Sequence, residues 1–153
     1  MAKPRSQREL ARTLLKKQGI MRLLELREAG VTAATMSRME RAGEVIRLSR
    51  GVYQLPDADL DPNHSLAEAA KRVPKGVVCL VSALAFHGLT DQLSPKVWMA
   101  IGPKDWAPQC SGAGIRIVRF TDGLLRECIE THVIEGVSVK VFGVAKTVAD
   151  CFR

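Results

Sequence analysis

A chain of 153 residues that is 46% hydrophobic can bury one ordinary core or two small ones, which excludes disorder throughout. Its formal charge of +7 and pI near 9.6 point to a polyanionic partner. No apolar run approaches the ~20 residues needed to cross a bilayer, and the basic start MAKPRSQREL lacks the apolar stretch of a signal peptide, so a cytoplasmic protein without membrane association is expected.

The charge is unevenly placed. Residues 1–56 hold twelve Lys or Arg against five Glu, which is the whole excess, while the other 97 residues carry eleven of each sign. Within that basic stretch, Ser6-Gln7-Arg8-Glu9 has the pattern of a capping box, and Leu10, Leu14 and Leu15 follow at helical spacing, predicting a helix over 6–18. Arg5, Arg8, Arg12 and Lys16 fall along one side of it, with only Glu9 and Glu25 near enough in sequence to neutralise them. Arg8 and Arg12 are therefore candidate phosphate contacts. Gly19 ends this helix, and Ile20, Leu23, Leu24 and Leu26 predict a second of about ten residues, closed by Gly30.

Thr32 is placed to cap a third helix in which Met36 and Met39 share the inner face. The opposite face presents Thr32, Thr35, Ser37, Arg38 and Arg41. Gly43 closes that helix. Val45-Ile46-Arg47-Leu48 and Val52-Tyr53-Gln54-Leu55 then predict a hairpin turning at Ser49-Arg50-Gly51. This order of elements is that of a winged helix-turn-helix. Such a module lays a helix in the major groove while Arg47, Ser49 and Arg50 on the wing reach phosphate or the minor groove.

The acidic stretch DADLDPNHS reads as a linker, giving an N-terminal domain over 1–56, a linker over 57–64 and a C-terminal domain over 65–153. Asp57, Asp59, Asp61 and Glu68 have the acidic spacing of a calcium-binding loop, but Pro62 stands where that loop needs glycine, and Glu68 is expected to cap Ser65 instead. No metal or other cofactor is expected. Beyond the linker, a helix over 65–72 and a second, strongly apolar helical run over 77–89 are predicted. Strands at 96–101, 115–120, 130–134 and 137–142 follow, then a helix from Val144 that still runs at Arg153. The fold class is α+β, with a mixed α/β C-terminal domain built on a small, mainly antiparallel sheet. The run ending inside an amphipathic pattern implies a shortened chain.

Enzyme signatures are missing: there is no P-loop, G-x-G-x-x-G, G-x-S-x-G or H-E-x-x-H. Ser82 and His87 lie about 140° apart on a helix and cannot pair as nucleophile and base. His64, His87 and His132 read as scattered singles, and Asp57, Asp59 and Asp105 do not converge into a nuclease-like metal set. Cys79, Cys110, Cys128 and Cys151 have no zinc or redox spacing and are expected to be free thiols, mostly buried. Trp98 belongs to a sheet face, whereas Trp106, in a Gly/Pro loop, is a candidate contact site.

Three segments carry a resemblance: GVTAATMSRMERAGEVIRLSRGVYQLP, VVCLVSALAFHGLTDQLSPKVWMAI and FTDGLLRECIETHVIEGVSVKVFGVAKTVADCFR. Together they resemble the AbiEi antitoxins of abortive-infection, type IV toxin-antitoxin systems. The resemblance implies a non-enzymatic protein whose N-terminal domain binds double-stranded DNA at inverted repeats in its own promoter and represses transcription, which allows two copies to pair on DNA. It also implies that the C-terminal domain counters a nucleotidyltransferase-like toxin without needing direct contact. By position the helix from Thr32 to Gly43 is the reading helix and Ser49-Arg50-Gly51 the wing tip. Ala33-Ala34 departs from the polar or basic first turn expected there, which shifts base readout to Thr32, Thr35 and Arg38. Family members also continue past the position of Arg153 with further helices. A winged helix serving only as a protein-interaction module is the alternative, and affinity for duplex DNA that falls with salt separates the two.

Overall fold

The computed structural model describes residues 6–58, 61–92, 94–107 and 114–152. Arg5, Asp59, Cys110 and Arg153 lie outside the described residues. The chain divides into two compact units, Met1–Asp61 with Glu135–Val137, and Pro62–Ile134 with Ser138–Arg153.

The first unit runs α1 (Gln7–Gln18), β1 (Met21–Arg22), α2 (Leu23–Glu28), α3 (Ala33–Arg41), β2 (Ile46–Ser49) and β3 (Val52–Gln54). Ser6 caps α1 by accepting from the Glu9 backbone N–H at 3.2 Å, and Gly19 ends it at φ +80°. The second helix is shorter than its leucines predict. Met21 and Arg22 leave the helical path to pair with Tyr53 and Val52, so the sheet has three strands in the order β1-β3-β2. A two-residue strand has no periodicity to read, and only its partner β3 defines it. The helix proper starts where the Glu25 carboxylate accepts from the Arg22 backbone N–H at 2.8 Å. Met36 and Met39, both fully buried, join Leu15, Leu26, Val31 and Tyr53 in the core. Each such side chain contributes roughly 1.5–3 kcal/mol of burial.

The second unit contains α4 (His64–Arg72), β4 (Val77–Val78), α5 (Leu80–Phe86), β5 (Val97–Ile101), β6 (Ile115–Arg119), α6 (Asp122–Arg126), β7 (Ile129–Ile134), β8 (Val137–Phe142) and α7 (Val144–Cys151). Its sheet has the order β6-β5-β4-β8-β7. The α+β class is as expected, but the sheet is mixed rather than mainly antiparallel. β4 runs antiparallel to β5, whereas β4–β8 and β5–β6 are parallel pairs. A parallel pair such as β5–β6 cannot be closed by a two-residue hairpin turn.

Three local readings change with the sheet. The apolar run from Val77 begins as strand β4, because Val77 and Val78 pair with Ala100 and Met99 on one side and Val78 with Val141 on the other. A strand with neighbours on both sides and buried faces reads as a continuous apolar run, which sequence alone does not distinguish from a helix. Helix α4 starts at His64 with Asn63 at its N-cap, so Ser65 lies inside it, and Glu68 faces His64 at 3.8 Å instead of capping. Helix α6, absent from the sequence reading, is a single five-residue turn behind Thr121.

The histidines are not all scattered. His87 Nε2 donates to the Phe142 carbonyl at 2.8 Å, and the Glu130 carboxylate lies between His87 (3.7 Å) and His132 (3.4 Å). On α7, Lys146 and Asp150 form a buried pair at 2.8 Å, with the ammonium 4.5 Å from the Phe142 ring centre. Trp98 is half-buried under the Arg116 guanidinium, 4.6 Å from its ring centre, and Trp106 is 79% exposed. Among the described residues no helix is long and apolar enough to cross a membrane.

Of the three described cysteines, Cys128 and Cys151 are exposed and only Cys79 is buried, so the expectation of mostly buried thiols is corrected. Both exposed ones sit at element ends, where an apolar side chain finds no partner layer. Burial, with the Asp150 carboxylate as the next cause, pushes the Cys79 thiol up from 9.0 to about 12. Because the folded value lies above the unfolded one, the stability linked to this neutral thiol is whole below pH 9.0 and is lost as pH rises towards about 12. Cys79→Ala should therefore show a shallower fall in melting temperature above pH 9.0 than the parent chain, measured by calorimetry across that range.

Candidate nucleic-acid interface

Burying Met36 and Met39 leaves the opposite side of α3 to solvent. Ala33, Ala34, Ser37, Arg38 and Arg41 are exposed and recur at helical spacing, so they form one continuous face. Arg38 folds back along its own helix, its Nε donating to the Ala34 carbonyl at 3.3 Å. Ala33 and Ala34 add no bulk at the first turn, where the backbone N–H groups and the positive end of the helix dipole favour a phosphate.

The wing stands next to this helix in the chain. β2 and β3 pair with a register shift between Arg47 and Ser49, and the turn passes through Arg50 and Gly51. Gly51 takes φ +71°, a conformation that side chains resist, and its carbonyl accepts from the Leu23 backbone N–H at 2.7 Å. The tip is thus tied to the start of α2. Arg50 and Arg47 are exposed, with Arg47 Nε donating to the Ser49 carbonyl at 3.4 Å. Among the described residues, no carboxylate lies within 4.0 Å of Arg38, Arg41, Arg47 or Arg50.

Other expected contacts are engaged elsewhere. Arg8 (3.6 Å) and Arg12 both pair with the Glu44 carboxylate, which lies 32 residues beyond Arg12 and just past the end of α3. The neutralising glutamate is thus neither Glu9 nor Glu25 but one brought in by the fold. Thr35 is 6% exposed and donates to Gln7 Oε1 at 2.6 Å. The Thr32 hydroxyl caps α3 at the Thr35 N–H and also donates to Gln7 Oε1 at 3.0 Å. The Ser49 hydroxyl is buried and has no hydrogen-bond partner among the described residues.

Gln7 is the residue that sequence reasoning missed. Its side-chain oxygen receives the Thr32 backbone N–H (3.1 Å) and the hydroxyls of Thr32 and Thr35, so α1 holds the N-terminus of α3 in place. Its position inside a capping-box pattern points only to its own helix, and the partner 25 residues away gives no local signal.

Residues 8–56, which span α3 and the wing, match the family described as transcriptional regulator, AbiEi antitoxin, the family that the sequence resembles. Among solved structures, the RV2827C protein from Mycobacterium tuberculosis is similar in fold, with a TM-score of 0.52 and 16% identity over 79% of this chain and 47% of that one. The chain thus spans about half the length of that structure, and at this identity the likeness speaks for the fold alone. No protein of curated function matches in sequence.

Gln7→Ala removes the common acceptor of three donors. It should lower stability by about 1–2 kcal/mol in denaturant titration, with the loss concentrated in faster amide exchange at the start of α3.

Proposed function

We propose that this chain, an AbiEi-type regulator over residues 8–56, binds inverted repeats in the promoter of its own gene and represses transcription there. In this reading it is the antitoxin of a type IV, abortive-infection pair and acts in the cytoplasm by binding rather than catalysis. It opposes a nucleotidyltransferase-like toxin without needing to touch it.

The observation that carries the reading is the set of four arginines on α3 and the wing. Arg38 and Arg41 on α3 and Arg47 and Arg50 on the wing stay exposed without a carboxylate among the described residues, while Arg8 and Arg12 share the single carboxylate of Glu44. A helix and a wing that meet phosphates are served by arginines left without such partners, because an internal carboxylate would have to be displaced on binding. Ser37, Arg38 and Arg41 then face the major groove, and Arg47 and Arg50 the flanking backbone. Thr32 and Thr35 orient the helix through Gln7, Thr35 from a buried position and Thr32 from an exposed one.

Four phosphate contacts give a slope of about −4 for log affinity against log salt on duplex DNA. A flat response would leave the unit as a protein-interaction module. Arg50→Ala should weaken all duplexes alike, and Arg38→Ala should weaken the promoter repeat selectively, each by ~1–3 kcal/mol in fluorescence anisotropy titrations. Glu44→Gln releases Arg8 and Arg12. It should steepen the salt slope by about one to two if α1 borders the DNA, and leave it unchanged if α1 faces away.

A further inference from the structure

β7 (Ile129–Ile134) is an end strand of the five-stranded sheet, six residues long. Ile129 is 37% exposed and Val133 73%, and Thr131 between them is exposed as well. An end strand with apolar side chains in solvent is normally shielded by charge, proline or a bulge, and none of these interrupts Ile129–Val133 apart from the charge of Glu130.

The turn after β7 settles which of its amides are free. Glu135 and Gly136 both take positive φ, +49° and +79°, the signature of a two-residue type I′ hairpin, which closes with Ile134 opposite Val137. Antiparallel bonding then alternates. Ile134, His132 and Glu130 turn their N–H and C=O towards β8, and Val133, Thr131 and Ile129 turn theirs outward.

The strand is also complementary to itself. Read from either end, Ile129-Glu130-Thr131-His132-Val133 runs apolar, titratable, Thr, titratable, apolar. We infer that β7 is a pairing edge for a second copy of this chain, antiparallel and centred on Thr131. In this register Ile129 lies opposite the second copy's Val133, Thr131 opposite Thr131, and Glu130 opposite His132. Outward-facing amides meet outward-facing amides at all three apolar and Thr positions. Of the two neighbouring registers, one sets Glu130 against Glu130, with like charges directly opposed, and the other separates Glu130 from His132. Within one copy Glu130 and His132 already lie 3.4 Å apart, so pairing extends an existing acid–base contact across the axis. An edge of five residues makes a weak dimer, formed at high concentration or when both copies are held close together. The pairing needs no DNA, so it fails or holds separately from the promoter-binding reading.

Cysteine trapping tests the register in the full chain with Cys110, Cys128 and Cys151 replaced by Ser. Opposed residues of a bonded antiparallel pair have Cα atoms about 5.5 Å apart, within disulfide reach. Thr131→Cys should give a linked dimer under mild oxidation at least about tenfold faster than Val133→Cys, whose two copies lie four positions out of register. Equal rates, or no linkage of Thr131→Cys, overturn the inference. Thr131→Pro removes an outward N–H, a change tolerated on an end strand, and should abolish concentration-dependent dimerisation in sedimentation velocity while leaving the melting temperature unchanged. Should that variant unfold, the charge exchange decides. Glu130→Lys should weaken the dimer, and adding His132→Glu should restore it. Dimerisation that Glu130→Lys leaves untouched also overturns the inference.

Discussion

Burial of Met36 and Met39 beneath α3 is the constraint on which the first unit depends. A helix of nine residues has little stability by itself, so it exists because one face is driven into the core. Once those two side chains are inside, helical geometry turns Ser37, Arg38 and Arg41 outward. Chemistry at the surface is thus a consequence of packing underneath. The same core holds Val45 and Tyr53, which anchor the hairpin at its base, so helix and wing rest on one support.

Charge is sorted on top of that frame. Glu44 lies just past the end of α3, where its backbone N–H bonds the Met39 carbonyl, and there it draws in the guanidinium groups of Arg8 and Arg12. Such exposed pairs contribute little stability, generally under ~1 kcal/mol. Their effect is on the electrostatic map: Glu44 offsets one of the two charges of Arg8 and Arg12, while the four arginines of α3 and the wing keep theirs in full. A count of net charge over residues 1–56 cannot reveal this division.

In the second unit, the short central strand β4 organises what surrounds it. Two valines bonded to β5 on one side, with Val78 bonded to β8 on the other, decide that the sheet is mixed and that β7 stands at its rim. Closure of the sheet also brings His87, Glu130 and His132 together from positions more than forty residues apart in the chain. An exposed end strand is usually a hazard, and here its residues are arranged so that one partner, the chain itself, fits better than a shifted copy.

What the sequence by itself determined are the features written in local order. These are the capped α1, α3 with its two methionines inward, the glycine-turned wing, the hairpin of β7 and β8, and the family resemblance that rests on them. Each depends on neighbours within about four residues, where periodicity, caps and turn residues act. Only the tertiary structure decided that Met21 and Arg22 form a strand, that Val77 and Val78 are the middle of a sheet, and that Ser65 lies inside its helix. It alone decided that Thr35 is spent on Gln7 and that Glu44 answers Arg8 and Arg12. The physical reason is the same in each case. A strand is defined by the strand beside it, and a side chain's availability by whatever the fold brings within hydrogen-bonding distance, and both partners lie tens of residues away.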